Sequence, residues 1–291
     1  MLRSTSALII GFVLLWNSGF IGAEYGLPYA PPFTLLFWRY WVLTLVLFAY
    51  LAYQRQLRWP PDKQARQAIL TGILAHGVWL SCVLVAIQQD VPAGVVALVV
   101  ALQPLATGAF SGLVVGEYPR LSQWLGLIIA FGGVALIVLV RMDLSNISSD
   151  LAYLLPLVSV IAITIASLIQ RAAAVHQTRP QLPLDQLMFW QCLGTAVWVS
   201  FPAIVNEKLA TEWNWAFTGA LLWLIFVVSL GAYSLMWLLI KRLDATKVAS
   251  LFYLGPPVTM IMAWAAFGDV PQPIDYVGMV IVAGGVVLAQ R

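Results

Sequence analysis

The amino-acid sequence predicts an all-α polytopic membrane protein: ten transmembrane helices in two inverted five-helix repeats, with the N- and C-termini cytoplasmic. Three observations predict it. The chain is 62% hydrophobic and only 9% charged, against about 25% charged residues in an ordinary soluble domain. Its mean hydropathy is +0.90. So few charges cannot cover a soluble fold of 291 residues, so a bilayer is part of the solvent. The second observation is an internal repeat, and the third is a lopsided distribution of Lys and Arg.

The apolar segments run approximately 5–23, 33–53, 66–87, 93–115, 121–140, 150–170, 186–205, 215–240, 246–267 and 273–290. Each is long enough for a helix across a hydrocarbon core of ~30 Å. The first follows a single basic residue, Arg3, and holds Trp16 and Asn17; without a convincing small-residue cleavage site it reads as a retained helix and not a signal peptide. The second carries Arg39 and the third His76. The fourth is interrupted by Pro104, and the fifth carries Gly126 and Gly132-Gly133. Ser167 and Gln170 share a face of the sixth. The seventh, after Pro183, contains Phe189-Trp190. Tyr233 and Trp237 lie four apart on the eighth. The ninth is broken by Pro256-Pro257, and the tenth repeats the glycines at Gly278 and Gly284-Gly285. Cys82 and Cys192 lie in apolar runs and read as small buried residues, not a disulfide.

Shifting the sequence by 152 positions lays residues 97–136 on 249–288 without a gap. Ala97, Leu102, Pro104, Thr107, Gly116, Pro119, Gly126, Ile129, Gly132, Gly133, Val134 and Leu136 all meet identical residues. Half are Gly and Pro in fixed order, so the copies share kinks and close helix contacts as well as greasiness. The same offset lays Pro31 on Pro183 and Phe37-Trp38 on Phe189-Trp190. The repeats are placed at 1–145 and 146–291 within one membrane domain.

With the N-terminus in the cytoplasm, Arg3, Arg55, Arg58, Lys63, Arg66, Arg120, Arg171, Arg179, Lys241, Arg242, Lys247 and Arg291 fall on the inner side. Only Arg141 and Lys208 fall outside. That asymmetry fixes the orientation. Five helices per copy, an odd number, then turn the second copy upside down, as in alternating-access transporters.

Two proline-broken helices followed by Gly-acid (Leu102-Gln103-Pro104 then Gly116-Glu117; Leu254-Gly255-Pro256 then Gly268-Asp269), each trailed by a glycine-bearing helix, resemble the EamA-type drug/metabolite transporter superfamily. Arg39 fits the first repeat of that family. Length and aromatic richness are similar to its YddG-type exporters of aromatic amino acids. The resemblance implies a basket of helices 1–4 and 6–9, with helices 5 and 10 outside as supports. It also implies export of amino acids or related metabolites across the inner (plasma) membrane.

Polar side chains inside a span are costly and mark candidate sites. His76 reads as a cavity-lining donor, acceptor or proton-sensing group, or else as a neutral imidazole bonded to a backbone carbonyl or a Gln. Gln103 either binds substrate or repairs the backbone ladder that Pro104 interrupts. Trp16, Asn17, Trp79, Gln170, Tyr233, Trp237 and Tyr253 complete the expected substrate-binding set, a pocket of aromatic faces around a few polar atoms. Pro104, Pro256 and Pro257 are the expected hinges, with Gly255 leaving room for an aromatic ligand. Arg39 can attract a carboxylate, but a structural role is expected, snorkelling or pairing at the rim with Glu24 or Asp90. Glu117 and Asp269 are expected to cap or bridge at opposite gates, Glu117 with Arg120. Gly108, Gly112 and Gly116 are expected to admit helix 5. Trp59, Trp213 and Trp215 read as interfacial anchors.

The spans hold no Asp or Glu at their centres, and the chain has no phosphate-binding Gly-Lys-Ser/Thr loop and no Cys/His metal cluster. No enzyme activity, cofactor or nucleic acid is expected. The partners are a small-molecule substrate and the lipid bilayer, and the chain reads as a monomer. With no coupling carboxylate the simplest expectation is a facilitator working by alternating access. The alternative is a proton-coupled exporter of drugs or other small organic metabolites, with His76 carrying the proton.

Overall fold

The computed structural model describes residues 2–56, 62–89, 91, 96, 99–141, 152–175, 182–268 and 270–291. Ala97, Arg58, Trp59, Asp90, Arg179, Asp269 and the 145/146 boundary between repeats lie outside the described residues. The described residues form helices and no strands. Helix α1 is Leu2–Gly26 and α2 is Pro32–Tyr53. Helix α3 begins as Asp62–Gly72, passes through a π-helical segment Ile73–Val78 and continues as Trp79–Gln88. Then come α4 (Gln103–Val115), α5 (Leu121–Arg141), α6 (Leu155–Val175, entered by a 3-10 turn at Ala152–Leu154) and α7 (Leu184–Val205). Helix α8 is Trp215–Leu222, a π segment Trp223–Ala232, and Tyr233–Arg242. Helix α9 is Ala245–Ser250, a 3-10 turn Leu251–Leu254, and Gly255–Phe267; α10 is Pro273–Ala289.

Seven of these units are long and apolar enough to cross a membrane: Thr5–Gly26, Pro32–Tyr53, Lys63–Ala86, Ala152–Val175, Leu184–Val205, Trp215–Arg242 and Ala245–Phe267. Leu121–Ile137 and Pro273–Ala289 are shorter apolar helices.

The helices of the two repeats interleave. α1 packs on α8 and α9, α2 on α7, α3 on α6 and α7, and α4 on α6. Equivalent helices run in opposite directions. At one end of the bundle Glu207, just beyond α7, accepts hydrogen bonds from the Phe33 and Thr34 amides in the first turn of α2 (3.1 and 2.6 Å) and from the Thr34 hydroxyl (2.8 Å). A carboxylate there satisfies orphan N–H groups and complements the positive end of the helix dipole. At the other end the Gln186 amide donates to the Gln56 carbonyl at 2.7 Å, so α7 starts where α2 finishes. Arg55, Lys63, Arg66, Arg120, Arg171, Lys241, Arg242, Lys247 and Arg291 belong to this second end, and Lys208 to the first.

α5 and α10 form the closest antiparallel pair. A Cβ at Gly126 would overlap the backbone at Gly285 and Ala289, and one at Gly133 would sit 2.9 Å from the Gly278 carbonyl and the Val282 amide. Gly278 and Gly285 meet α5 in the same way. The glycines thus let α5 and α10, expected as outer supports, touch each other. Gly108 does approach α5, at Leu127, but Gly112 is covered by Tyr118. The repeat is equally visible at the ends of α4 and α9. Gly116 and Gly268 cap them in the left-handed region (φ 79° and 81°), which only a residue without Cβ adopts freely.

Gly132 and Gly133 provide a matched test. Gly133→Ala forces α5 and α10 apart and should cost about 1–3 kcal/mol. Gly132, with nothing within 4 Å of an added Cβ, should accept Ala with a small gain, about 0.5–1 kcal/mol. Thermal unfolding of the detergent-solubilised protein should therefore give a lower Tm for the first and an equal or higher Tm for the second.

Candidate functional site

The two π segments are the same feature in two copies. The 152-residue offset carries 73–78 onto 225–230, inside Trp223–Ala232. A π turn adds a residue to the helix and rotates the side chains beyond it, which is a recurrent way of building a site. Here the segments present His76 and Ser229 to the same small void, lined also by Tyr40, Leu43, Met188, Gln191, Cys192 and Tyr233. α3 reaches α7 closely at this level because Gly72 lies against the Gln191 backbone.

His76 is buried, and its Nδ1 shares a 2.8 Å hydrogen bond with the Tyr233 hydroxyl, its direction set by the imidazole tautomer. The Tyr40 ring stacks on the imidazole (5.7 Å, 14°), and Tyr233 meets it edge-on at 4.3 Å. Arg39 is 7% exposed, donates from Nε to the Ser229 hydroxyl at 3.0 Å, and lies 5.4 Å from the Tyr40 ring centre. It is thus drawn inward to α8, not outward to Glu24, and Asp90 lies outside the described residues.

An aromatic cluster continues from Tyr233. Trp16 packs on Tyr233 (5.0 Å), Phe252 (5.3 Å), Phe12 (5.5 Å) and Trp79 (6.0 Å). Each such pair contributes about 0.5–1.5 kcal/mol beyond burial. A second void lies between Trp16, Tyr233 and Phe252, with Ser167 and Gln170 on its wall. A third, sharing Ser167, Met236 and Phe252 with the second, leads to Arg171. The three hold about 10, 10 and 20 Å³, space for isolated waters and not for an organic solute.

The row of voids ends at an ionic clasp. Arg171 Nε donates to Glu117 Oε1 at 2.8 Å, with a second bond from Nη2 to the same oxygen. Arg171 Nη1 donates to the Ile240 carbonyl at 2.6 Å, and Nη2 lies 3.7 Å from Asp244. Glu117 Oε2 accepts from the Ala245 amide at 3.0 Å. One carboxylate and one guanidinium thereby join the ends of α4, α6 and α8 to the start of α9. Glu117 pairs with Arg171 and not with Arg120 as expected; Arg120 follows Glu117 closely in a turn, whereas Arg171 reaches across from another helix.

All nine residues expected to bind substrate are buried, but they divide by role. Trp16, His76, Gln170 and Tyr233 line the voids, and Trp79 stacks on Trp16. Asn17 is occupied otherwise: its amide donates to the Val13 carbonyl at 2.7 Å and its Oδ1 accepts from Thr259 at 3.3 Å. That oxygen also lies above Gly255, 3.2 Å from where a Cβ would stand. Gln103 donates to the Thr107 hydroxyl of its own helix at 3.4 Å, a bond between side chains that leaves the backbone ladder at Pro104 unrepaired. Trp237 and Tyr253 are buried away from the described voids with Trp237 Nε1 and the Tyr253 hydroxyl unpartnered. Pro104, Pro256 and Pro257 begin the second halves of two interrupted helices: a 3-10 bond, Leu102 amide to Val99 carbonyl at 3.0 Å, precedes Pro104, and the 3-10 turn Leu251–Leu254 precedes Pro256. Tyr40, Gln191, Ser229 and Phe252 were missed. Gln191 and Ser229 are polar residues within apolar spans, so the rule that selected His76 also selects them.

A larger groove of about 600 Å³ opens between α1, α8 and α9, beside Tyr25, Trp215 and Trp223. Its wall is apolar, and it lacks converging polar groups.

The sequence matches the EamA-like transporter family twice, over residues 3–139 and 150–290. The chain belongs to this family. It is a multi-pass membrane transporter, not an enzyme. It is 25% identical over 282 residues to the uncharacterized inner membrane transporter YedA of Escherichia coli K12, covering 96% of this chain and 88% of that one. It is 23% identical over 297 residues to a probable amino-acid metabolite efflux pump of Salmonella typhimurium (98% and 94% covered). An uncharacterized transporter of Archaeoglobus fulgidus is 26% identical over 292 residues (99% and 98% covered). A solved crystal structure superposes with a TM-score of 0.78 over 99% of this chain and 96% of the other; at 19% identity it speaks for the fold alone.

Tyr233→Phe removes the partner of a buried imidazole nitrogen and should lower stability by about 1–3 kcal/mol. A Tm unchanged from the parent protein would show that the His76–Tyr233 bond contributes nothing.

Proposed function

We propose that this transporter exports amino acids with aromatic or large apolar side chains, or related metabolites, by alternating access through an inner membrane. Ten helices cross the bilayer in this reading, and the Lys/Arg-rich end of the bundle, with both termini, faces the cytoplasm. The observation that carries it is the row of voids between the repeats. A polar group of His76, Gln191 and Ser229 adjoins an aromatic group of Trp16, Tyr233 and Phe252, which suits a flat amphipathic solute. The names of the E. coli and Salmonella relatives agree with an inner-membrane exporter of amino-acid metabolites.

In this cycle the described conformation is closed toward the cytoplasm by the Glu117–Arg171 clasp. Opening parts α4 and α6 from α8 and α9, with Pro104 and Pro256-Pro257 as hinges, and joins the voids into one chamber. No Asp or Glu lines the three voids, so the substrate gradient alone drives transport. The buried His76–Tyr233 pair favours one second reading, in which the imidazole carries a proton in exchange.

Proteoliposomes holding the purified protein should take up radiolabelled aromatic amino acids without a pH gradient. Failure to move any of them overturns the substrate class. Acceleration by a pH gradient that disappears in His76→Ala replaces the facilitator with the proton-coupled reading.

Two further outcomes test orientation and gate. Cysteines at Lys63 and Lys208 should react with impermeant thiol reagents from opposite faces, and labelling from one face refutes the topology. A cysteine at Ser167 should react from the Lys/Arg-rich face about tenfold faster once Glu117→Ala removes the clasp.

A further inference from the structure

We infer that Arg39 and its neighbours form a carboxylate subsite, and that the carboxylate, not the amine, is what this transporter reads on its substrate. The inference rests on the transport reading above and narrows its substrate class to amphipathic molecules bearing one carboxylate, with the amine optional.

The argument begins with charge. Arg39 is 7% exposed within an apolar helix, and among the described residues no carboxylate pairs with it. A buried guanidinium has five donors, and a single neutral hydroxyl, Ser229, receives one of them at 3.0 Å. The Tyr40 ring at 5.4 Å offers a partial, diffuse negative face. Neither supplies a counter-charge, and an uncompensated buried cation is costly. The site is one negative charge short.

The surrounding donors point the same way. The Tyr40 hydroxyl and Gln191 Nε2 are both buried and neither makes a bond of full hydrogen-bond geometry, with Tyr233 beside the first and His76 beside the second. Both residues line the void that also bears Ser229 and His76. α2 brings Arg39 and the Tyr40 hydroxyl, α7 brings Gln191, and Ser229 of α8, which accepts from Arg39, lines the same void as Tyr40 and Gln191, so a carboxylate seated beside Ser229 has the cation and both donors around it. A bound carboxylate then compensates the buried cation and accepts from both donors.

The opposite charge finds no equivalent. None of the residues lining this void, or the aromatic void beyond Tyr233, is Asp or Glu. An ammonium group therefore meets only dipoles and ring faces. Tyr233 belongs to both voids, so a substrate with its carboxylate at Arg39 places its apolar body toward Trp16 and Phe252. The void near Arg39 holds about 10 Å³, so the carboxylate enters as the chamber opens.

The test uses the full-length protein and three matched probes: L-phenylalanine, 3-phenylpropanoate, which lacks the amine, and 2-phenylethylamine, which lacks the carboxylate. Thermal unfolding in detergent reads binding, and competition against radiolabelled phenylalanine uptake in proteoliposomes reads transport. Both carboxylates should raise Tm and compete within a few-fold of each other, while the amine is weaker by about tenfold or more. Arg39→Gln should abolish the difference between acid and amine, and Arg39→Lys should restore part of it. If Arg39→Gln does not fold, Gln191→Leu and Tyr40→Phe should each weaken the two carboxylates and leave the amine unchanged.

Equal Tm shifts from 3-phenylpropanoate and 2-phenylethylamine, or an acid-specific shift that persists in Arg39→Gln, overturn the subsite. Phenylalanine uptake by such a protein leaves the transport reading standing. A carboxylate-specific shift without phenylalanine uptake supports the subsite and overturns the aromatic transport reading.

Discussion

Backbone amides and carbonyls in a hydrocarbon layer have no water to bond, and this constraint decides where the chain can be irregular. Every departure from the α-helix among the described spans is sheltered by another helix or faces a void. The π segments of α3 and α8 surround the Tyr40–His76–Tyr233 stack. The interruption of α9 lies against Asn17 of α1 and places Phe252 in the aromatic cluster. Irregular backbone is what lets side chains from seven helices converge, and the regular helices around it make that irregularity tolerable.

Regularity is supplied in antiparallel pairs. α2 with α7 and α5 with α10 are equivalent helices lying against each other in opposite directions. Four glycines bring α5 and α10 into backbone contact, where van der Waals packing replaces a hydrophobic drive that lipid tails do not provide. The α2–α7 pair is fixed at its ends, by Glu207 at one and Gln186 at the other. Polar groups at the rims and small residues in the middle divide the task along the depth of the membrane.

Much of this was legible because Gly and Pro report backbone events directly. The proline breaks and the repeat itself follow from residue identity. Trp16, His76, Gln170 and Tyr233 were legible because polar and aromatic groups deep in a span need an interior. The π segments were not legible, since Ile73–Val78 and Trp223–Ala232 carry no residue that announces an added turn. Side chains beyond them are rotated relative to a uniform helix, so face-sharing arguments fail across them. Asn17, Gln103 and Trp237 show a second limit. A polar atom deep in a span must find a partner or a void, and the residue type alone does not say which. Arg171 shows a third. It looked like one more positive-inside charge, and only the meeting of four helix ends made it the centre of a clasp.

Among the described residues that clasp has no twin. At the repeat offset, Gly19 occupies the place of Arg171. Two halves with identical walls would give a machine whose two faces open with equal ease, indifferent to which compartment it serves. The repeat therefore does not tie both ends of the bundle alike: where one copy supplies the guanidinium that holds Glu117, the offset supplies a glycine.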